Sequence, residues 1–87
     1  MGYRDDASIG ETERILLAMH NLSLVSAERG WTGQEIANKI SMSKDDVLRI
    51  LNELEMTGYA RSFLDLNGSK RFYLSGSGII KISSLFT

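Results

Sequence analysis

Two helix-start signals, at positions 32 and 43, constrain this chain more than any other feature. Thr32-Gly33-Gln34-Glu35 is a Thr-x-x-Glu capping box, in which the threonine oxygen accepts a backbone N–H and the glutamate reaches back to the threonine's own N–H. Ser43-Lys44-Asp45-Asp46 offers a second cap before the first helix can have grown long. Between them Ile36, Ala37 and Ile40 form a buried stripe, and Ser41-Met42 breaks it. The spacing predicts helix, tight turn, helix over residues 32–58. The second helix, 44–57, places Val47, Ile50, Leu51 and Leu54 on one side. Asp45, Arg49, Asn52 and Met56 lie on the other, and Gly58 ends it.

Upstream, Ile15, Ala18, Met19, Leu22 and Val25 recur at helical spacing, which predicts one helix from Thr12 to Arg29, capped by Thr12 and closed by Gly30. Leu17 and Leu24, flanked by Leu16, give it a second apolar face. Two things could cover that face. One is the segment 79–87, with Ile79, Ile80, Ile82, Leu85 and Phe86, as a short C-terminal helix or a terminal strand. The other is a second copy of the chain, with Leu16, Leu17, Leu24, Ile80 and Leu85 as a dimer interface. His20 lies near this face and reads as a structural or surface residue. From 59 to 75 the period shortens toward two on either side of Asn67-Gly68, a hairpin signal. A type I′ turn there sets Asp65 opposite Lys70 and Phe63 opposite Phe72. Gly76-Ser77-Gly78 then breaks the strand, and residues 1–11 are expected to be a flexible N-terminus. The fold class is α+β and mostly helical.

With 87 residues, every element must share one core. Hydrophobic residues at 43% and charged residues at 24% are ordinary globular values, so the chain is expected to fold as one domain over 1–87. There is no cysteine and one histidine, so no metal site and no cofactor is expected. The Ser and Asp residues lack a histidine at a plausible spacing, and the Gly-rich pieces lack the lysine and the strand-to-helix context of a phosphate loop, so no enzyme is expected. The opening residues carry acids where a leader needs a basic region, and no run is long enough to span a bilayer, which predicts a cytoplasmic protein without membrane contact. Ten Lys plus Arg against eleven Asp plus Glu give a net charge of -1, so nucleic-acid binding must be argued from position.

The order helix, helix, turn, helix, hairpin resembles the winged helix-turn-helix DNA-binding domains of MarR-like and ArsR-like transcriptional regulators, especially small archaeal ones. The residues that carry the resemblance run from Thr32 to Gly78. They are Glu35-Ile36-Ala37, Ile40-Ser41-Met42-Ser43, Val47 through Leu54, Gly58-Tyr59 and Tyr73-Leu74-Ser75-Gly76-Ser77-Gly78. The last is similar to the Tyr-x-Leu-Thr-x-x-Gly signature that closes such wings, without the residue between Tyr and Leu. The resemblance implies three helices, a two-stranded wing over 59–75 and a short C-terminal helix. It also implies a homodimer on double-stranded DNA, with helix 44–57 in the major groove and the wing on backbone or minor groove.

Carried over by position, Ser43, Lys44, Asp45, Leu48, Arg49 and Asn52 fall on the reading helix. Arg49 suits a guanine edge and Asn52 an adenine edge, while Ser43 and Lys44 suit a phosphate. Gln34 and Lys39 would brace the backbone, and Lys70, Arg71 and Arg61 would make the wing basic. Beside this stands the reading in which Asp45 and Arg49 pair with each other across one helical turn and touch no partner. Asp45 and Asp46 also suit the helix dipole, Asp46 as the back half of a capping box, and they would repel phosphates. Leu48 and Met56 on the outward face of helix 44–57 fit a thymine methyl or a protein surface, so a winged-helix protein-interaction module is the alternative.

Overall fold

The computed structural model describes residues 10–85. The flexible segment expected over 1–11 lies outside them as far as residue 9, and Gly10 and Glu11 are already the cap and first residue of a helix. In chain order the elements are α1 (Glu11–Asn21), a single 3-10 turn (Ala27–Arg29), β1 (Trp31–Thr32), α2 (Gly33–Ile40), α3 (Lys44–Met56), β2 (Ala60–Leu64), β3 (Lys70–Leu74) and α4 (Gly76–Leu85). This is the winged helix-turn-helix arrangement, with the three expected helices, the short C-terminal helix and a two-residue strand added to the hairpin. No helix among the described residues is long and apolar enough to cross a membrane.

α1 is shorter than the helix expected to reach Arg29. Leu22 caps it, with its N–H on Ala18 O, and Ser23 follows in the left-handed conformation at φ 60°. The N–H of Leu24 bonds back to Met19 O at 2.9 Å, and its own carbonyl receives Leu74 N–H at 2.7 Å. Leu24 is therefore buried from a loop, whereas Val25, in the expected stripe, is exposed. The apolar periodicity carried past the helix because both features place leucines inside. Neither terminal cap is as expected. Gly10, not Thr12, precedes α1, and Gly30 is extended at φ -61°, ψ 144°, leading into β1.

The helix-turn-helix forms as its caps dictate. Thr32 Oγ1 accepts from Glu35 N–H at 3.1 Å and Glu35 Oε1 accepts from Thr32 N–H at 2.9 Å, closing the capping box. Ser41 ends α2 in the left-handed conformation at φ 58°, and Ser43 Oγ accepts from Asp46 N–H at 3.2 Å to start α3. Ile36, Ala37, Val47, Ile50, Leu51 and Leu54 meet Ile15, Leu16, Met19 and Leu24 in one core, closed by Phe72, Leu74, Ala60 and Ile82.

The sheet has the order β1-β3-β2, all antiparallel. β2 and β3 pair one residue out of the expected register: Leu64 faces Lys70, Phe63 faces Arg71 and Ser62 faces Phe72. The turn explains the slip. Gly68 alone of the Asn67-Gly68 pair has positive φ, at 81°, so the loop is not type I′. Gly68 N–H bonds Asp65 O and Asp65 N–H bonds Ser69 O, which leaves a three-residue loop with a glycine bulge. A one-residue slip turns one strand's side chains to the other face relative to its partner, and here it separates Phe63 from Phe72, of which only Phe72 is buried in the core.

α4 begins at Gly76, where the sequence suggested only a break before 79. Ser75 Oγ accepts from Gly78 N–H at 3.0 Å and donates to Gly58 O at 2.6 Å, so the residue that follows β3 caps the next helix. α4 packs across α1.

Candidate nucleic-acid interface

α3 sits on the core through Val47, Ile50, Leu51 and Leu54, so a helix period of 3.6 turns Asp45, Arg49, Asn52 and Met56 outward. Lys44 and Leu48 lie toward the wing. A groove of about 320 Å³ runs between the start of α2, the first turns of α3 and the wing, lined by Thr32, Gly33, Gln34, Lys44, Leu48, Ser69 and Lys70. Four of the expected contact residues, Gln34, Lys44, Leu48 and Lys70, therefore converge although they come from three elements. Leu48 closes the groove floor against Gly33, where a Cβ would stand 2.5 Å from its Cδ2. Gln34 Nε2 donates to Asn38 Oδ1 at 2.9 Å.

The other expected residues are dispersed. Lys39 lies on α2 beside Trp31, Glu35 and Asn38. Arg61 lies at the base of β2 with Glu55, Gly58, Ala60 and Ser62. Ser43 is occupied as the α3 cap, and Asp45 and Asn52 stand exposed. Lys39, Lys44 and Arg61 form no ion pair among the described residues.

Arg49 does not pair with Asp45. Its guanidinium faces Glu11 of α1 at 3.6 Å, Asp46 at 3.7 Å and Glu53 at 3.9 Å. Asp46 is thus turned toward Arg49 and completes no capping box, its backbone alone meeting Ser43. Glu11 and Glu53 were not singled out by the sequence. Glu53 was findable from its spacing of four to Arg49, and Glu11 was not.

The wing's two cations point to opposite faces of β3, as alternation requires. Lys70 Nζ reaches Glu55 Oε1 at 3.3 Å and lies over the Phe72 ring at 5.3 Å. Glu55 Oε2 also accepts from Ser62 Oγ at 2.5 Å. The Ser62 hydrogen bond first, and Lys70 after it, hold the Glu55 carboxyl below its ordinary pKa, against the opposing effect of burial. On the other face Arg71 Nε donates to Asp65 Oδ2 at 2.7 Å, and its Nη1 reaches Gly30 O at 3.1 Å and Glu35 Oε1 at 3.3 Å. Asp65 Oδ1 accepts from Asn67 and Ser69 N–H at 2.8 and 2.9 Å. The Arg71 hydrogen bond and then the Ser69 amide lower the Asp65 pKa, and Asp65 in turn raises that of Arg71. Arg71 therefore fastens the wing to the start of α2, its charge shared with Asp65 and Glu35.

Of the residues expected at a dimer face, Leu16 and Leu24 belong to the monomer's own core and Leu17 packs against it. Ile80 and Leu85 remain exposed.

No protein-family model and no curated protein matches the chain. Solved structures do. The DNA-binding TubR fragment of Clostridium botulinum aligns with a TM-score of 0.75 and 19% identity over 98% of this chain and 100% of that one. MepR of Staphylococcus aureus in complex with DNA aligns at 0.71 and 21%, over 86% and 52%. MarR of E. coli aligns at 0.69 and 16%, over 84% and 51%. The chain thus spans the whole TubR fragment and about half the length of MepR and MarR. At this level of identity the likeness is one of architecture, and by it and by its own helix order, caps and wing the chain folds as a winged helix-turn-helix domain.

Proposed function

We propose that the domain binds double-stranded DNA as a homodimer and acts as a transcriptional regulator. α3 enters the major groove and the wing lies along the flanking backbone or minor groove. The observation that carries this reading is the convergence of Gln34, Lys44, Leu48 and Lys70 on one groove beside the exposed outer face of α3. The starts of α2 and α3 border that groove, and helix N-termini present backbone N–H groups and positive dipole ends to phosphates. MepR, a structural neighbour, has been solved bound to DNA, and TubR is described as DNA-binding. Exposed Ile80 and Leu85 on α4 supply apolar surface for a second copy. The expected location is the cytoplasm.

Fluorescence anisotropy on duplexes from genomic DNA around the protein's own gene tests this reading. With Lys44 and Lys70 lining the groove on each of two protomers, log K against log salt should fall with a slope of about -4. No binding at low salt would overturn it.

One observation favours a second reading. Met56 is 86% exposed on the outward face of α3, which it shares with Asp45 and Glu53, a mixture that suits a protein surface better than a phosphate backbone. In that case Met56→Gln, which removes the apolar surface without adding charge, abolishes capture of the protein partner and leaves any DNA binding intact.

A further inference from the structure

Arg49 is surrounded by three carboxylates and hydrogen-bonded to none of them. Glu11, Asp46 and Glu53 stand 3.6–3.9 Å from its terminal nitrogens, near enough to balance its charge and beyond good hydrogen-bond distance. The guanidinium is about half exposed and donates no hydrogen bond among the described residues. Two of the acids lie on its own helix, one turn before and one turn after. The third reaches in from the start of α1.

We infer that these three acids make Arg49 selective for a guanine edge over a phosphate, a statement that rests on the DNA-binding reading above. A phosphate attracts an arginine mainly through charge, and that attraction must displace or oppose three nearby carboxylates. A guanine offers two neutral acceptors, O6 and N7, which ask for fixed, unused N–H donors. Arg49 has its charge screened and its donors available. The arrangement weakens binding to arbitrary DNA and leaves binding to the right sequence nearly intact.

The test uses the full chain, a duplex recovered by selection from a random library, and a shuffled duplex of the same length. Glu11→Gln, Asp46→Asn and Glu53→Gln are combined, with Glu53→Gln alone as a milder variant, and melting curves confirm folding. The expected result is a gain of roughly tenfold on the shuffled duplex, a smaller gain on the selected one, and a salt slope steeper by about two for the dimer. In an Arg49→Ala background the same acid substitutions should lose most of this effect, because the screened group is gone. An undiminished gain in that background would overturn the inference, since the acids would then act only by repelling DNA through space, and the DNA reading would stand. Equal gains on both duplexes would also overturn it. Failure of the unaltered protein and of every variant to bind any duplex would overturn both.

Discussion

Gly78, in the first turn of α4, lies directly against the backbone carbonyl of Tyr59, so that a single methyl group on Gly78 would collide with the Tyr59 oxygen. The collision is with backbone, which cannot rotate aside. Gly78→Ala should therefore destabilise the domain by about 2 kcal/mol, at the level of other overpacking changes. Gly76, two residues earlier in the same helix, has open space around its would-be Cβ, so Gly76→Ala should change stability by less than about 0.5 kcal/mol or improve it. Calorimetric melting of the two variants side by side checks this. Equal effects would mean that helix propensity alone governs the segment.

Ser41 holds the turn of the helix-turn-helix at φ 58°, ψ 43°, a conformation that costs an L-residue with a Cβ and costs glycine nothing. Ser41→Gly should stabilise the fold by about 0.5 kcal/mol, the relief of strain exceeding the added freedom of the unfolded chain. Ser41→Val should do the reverse by more, because a β-branched side chain tolerates this region least. Denaturant titrations with unchanged slopes would report both.

Asp65 and Glu55 each have a pKa lowered in the folded state, Asp65 chiefly by Arg71 and Glu55 chiefly by Ser62. A group whose folded pKa is depressed contributes stability above its unfolded pKa and loses it as pH falls through the folded one. The wing should thus be fully fastened at neutral pH and loosen in acid, from about pH 4 downward. Asp65→Asn should flatten the acid limb of stability against pH, as measured by melting temperature from about pH 7 to about pH 3. A variant with an unchanged acid limb would show that the wing clamp contributes nothing to folding.

How much of this was legible in the sequence depended on how local each cause was. Both helix starts could be read because Thr32 with Glu35, and Ser43 with Asp46, act within four residues. The hairpin was placed but its register was not. Asn-Gly favours a two-residue turn, and the Asp65 side chain, by holding the Asn67 and Ser69 amides, supports a three-residue loop instead. The end of α1 was hidden because Leu24 is buried from a loop as well as it would have been from a helix. At the interface, the outer face of α3 followed from periodicity alone. The partners of its charges did not, since Glu11 meets Arg49 and Glu35 meets Arg71 only after the chain has folded. The cations can thus be picked out from the sequence, but not which of them are already paired.

Position and pairing together separate the interface residues by their expected behaviour. Lys44 is exposed at the N-terminus of α3 and forms no ion pair among the described residues, so Lys44→Ala should weaken binding evenly across duplexes and reduce the salt slope of the dimer by about two. Asn52, exposed on the outer face one turn beyond Leu48, should instead set sequence choice, and Asn52→Ala should remove about 1–3 kcal/mol of discrimination at one base pair with little change in slope. Arg71 behaves like neither. Its guanidinium is held by Asp65, Glu35 and Gly30, so Arg71→Ala should act through the wing's position, lowering affinity together with melting temperature. Arg71→Lys, which keeps the charge and loses the forked geometry, should not restore either. Anisotropy against salt, run beside thermal melts on the same variants, distinguishes these outcomes. Full affinity in the Arg71→Lys variant would show that charge alone, and not the clamp, is what the wing supplies.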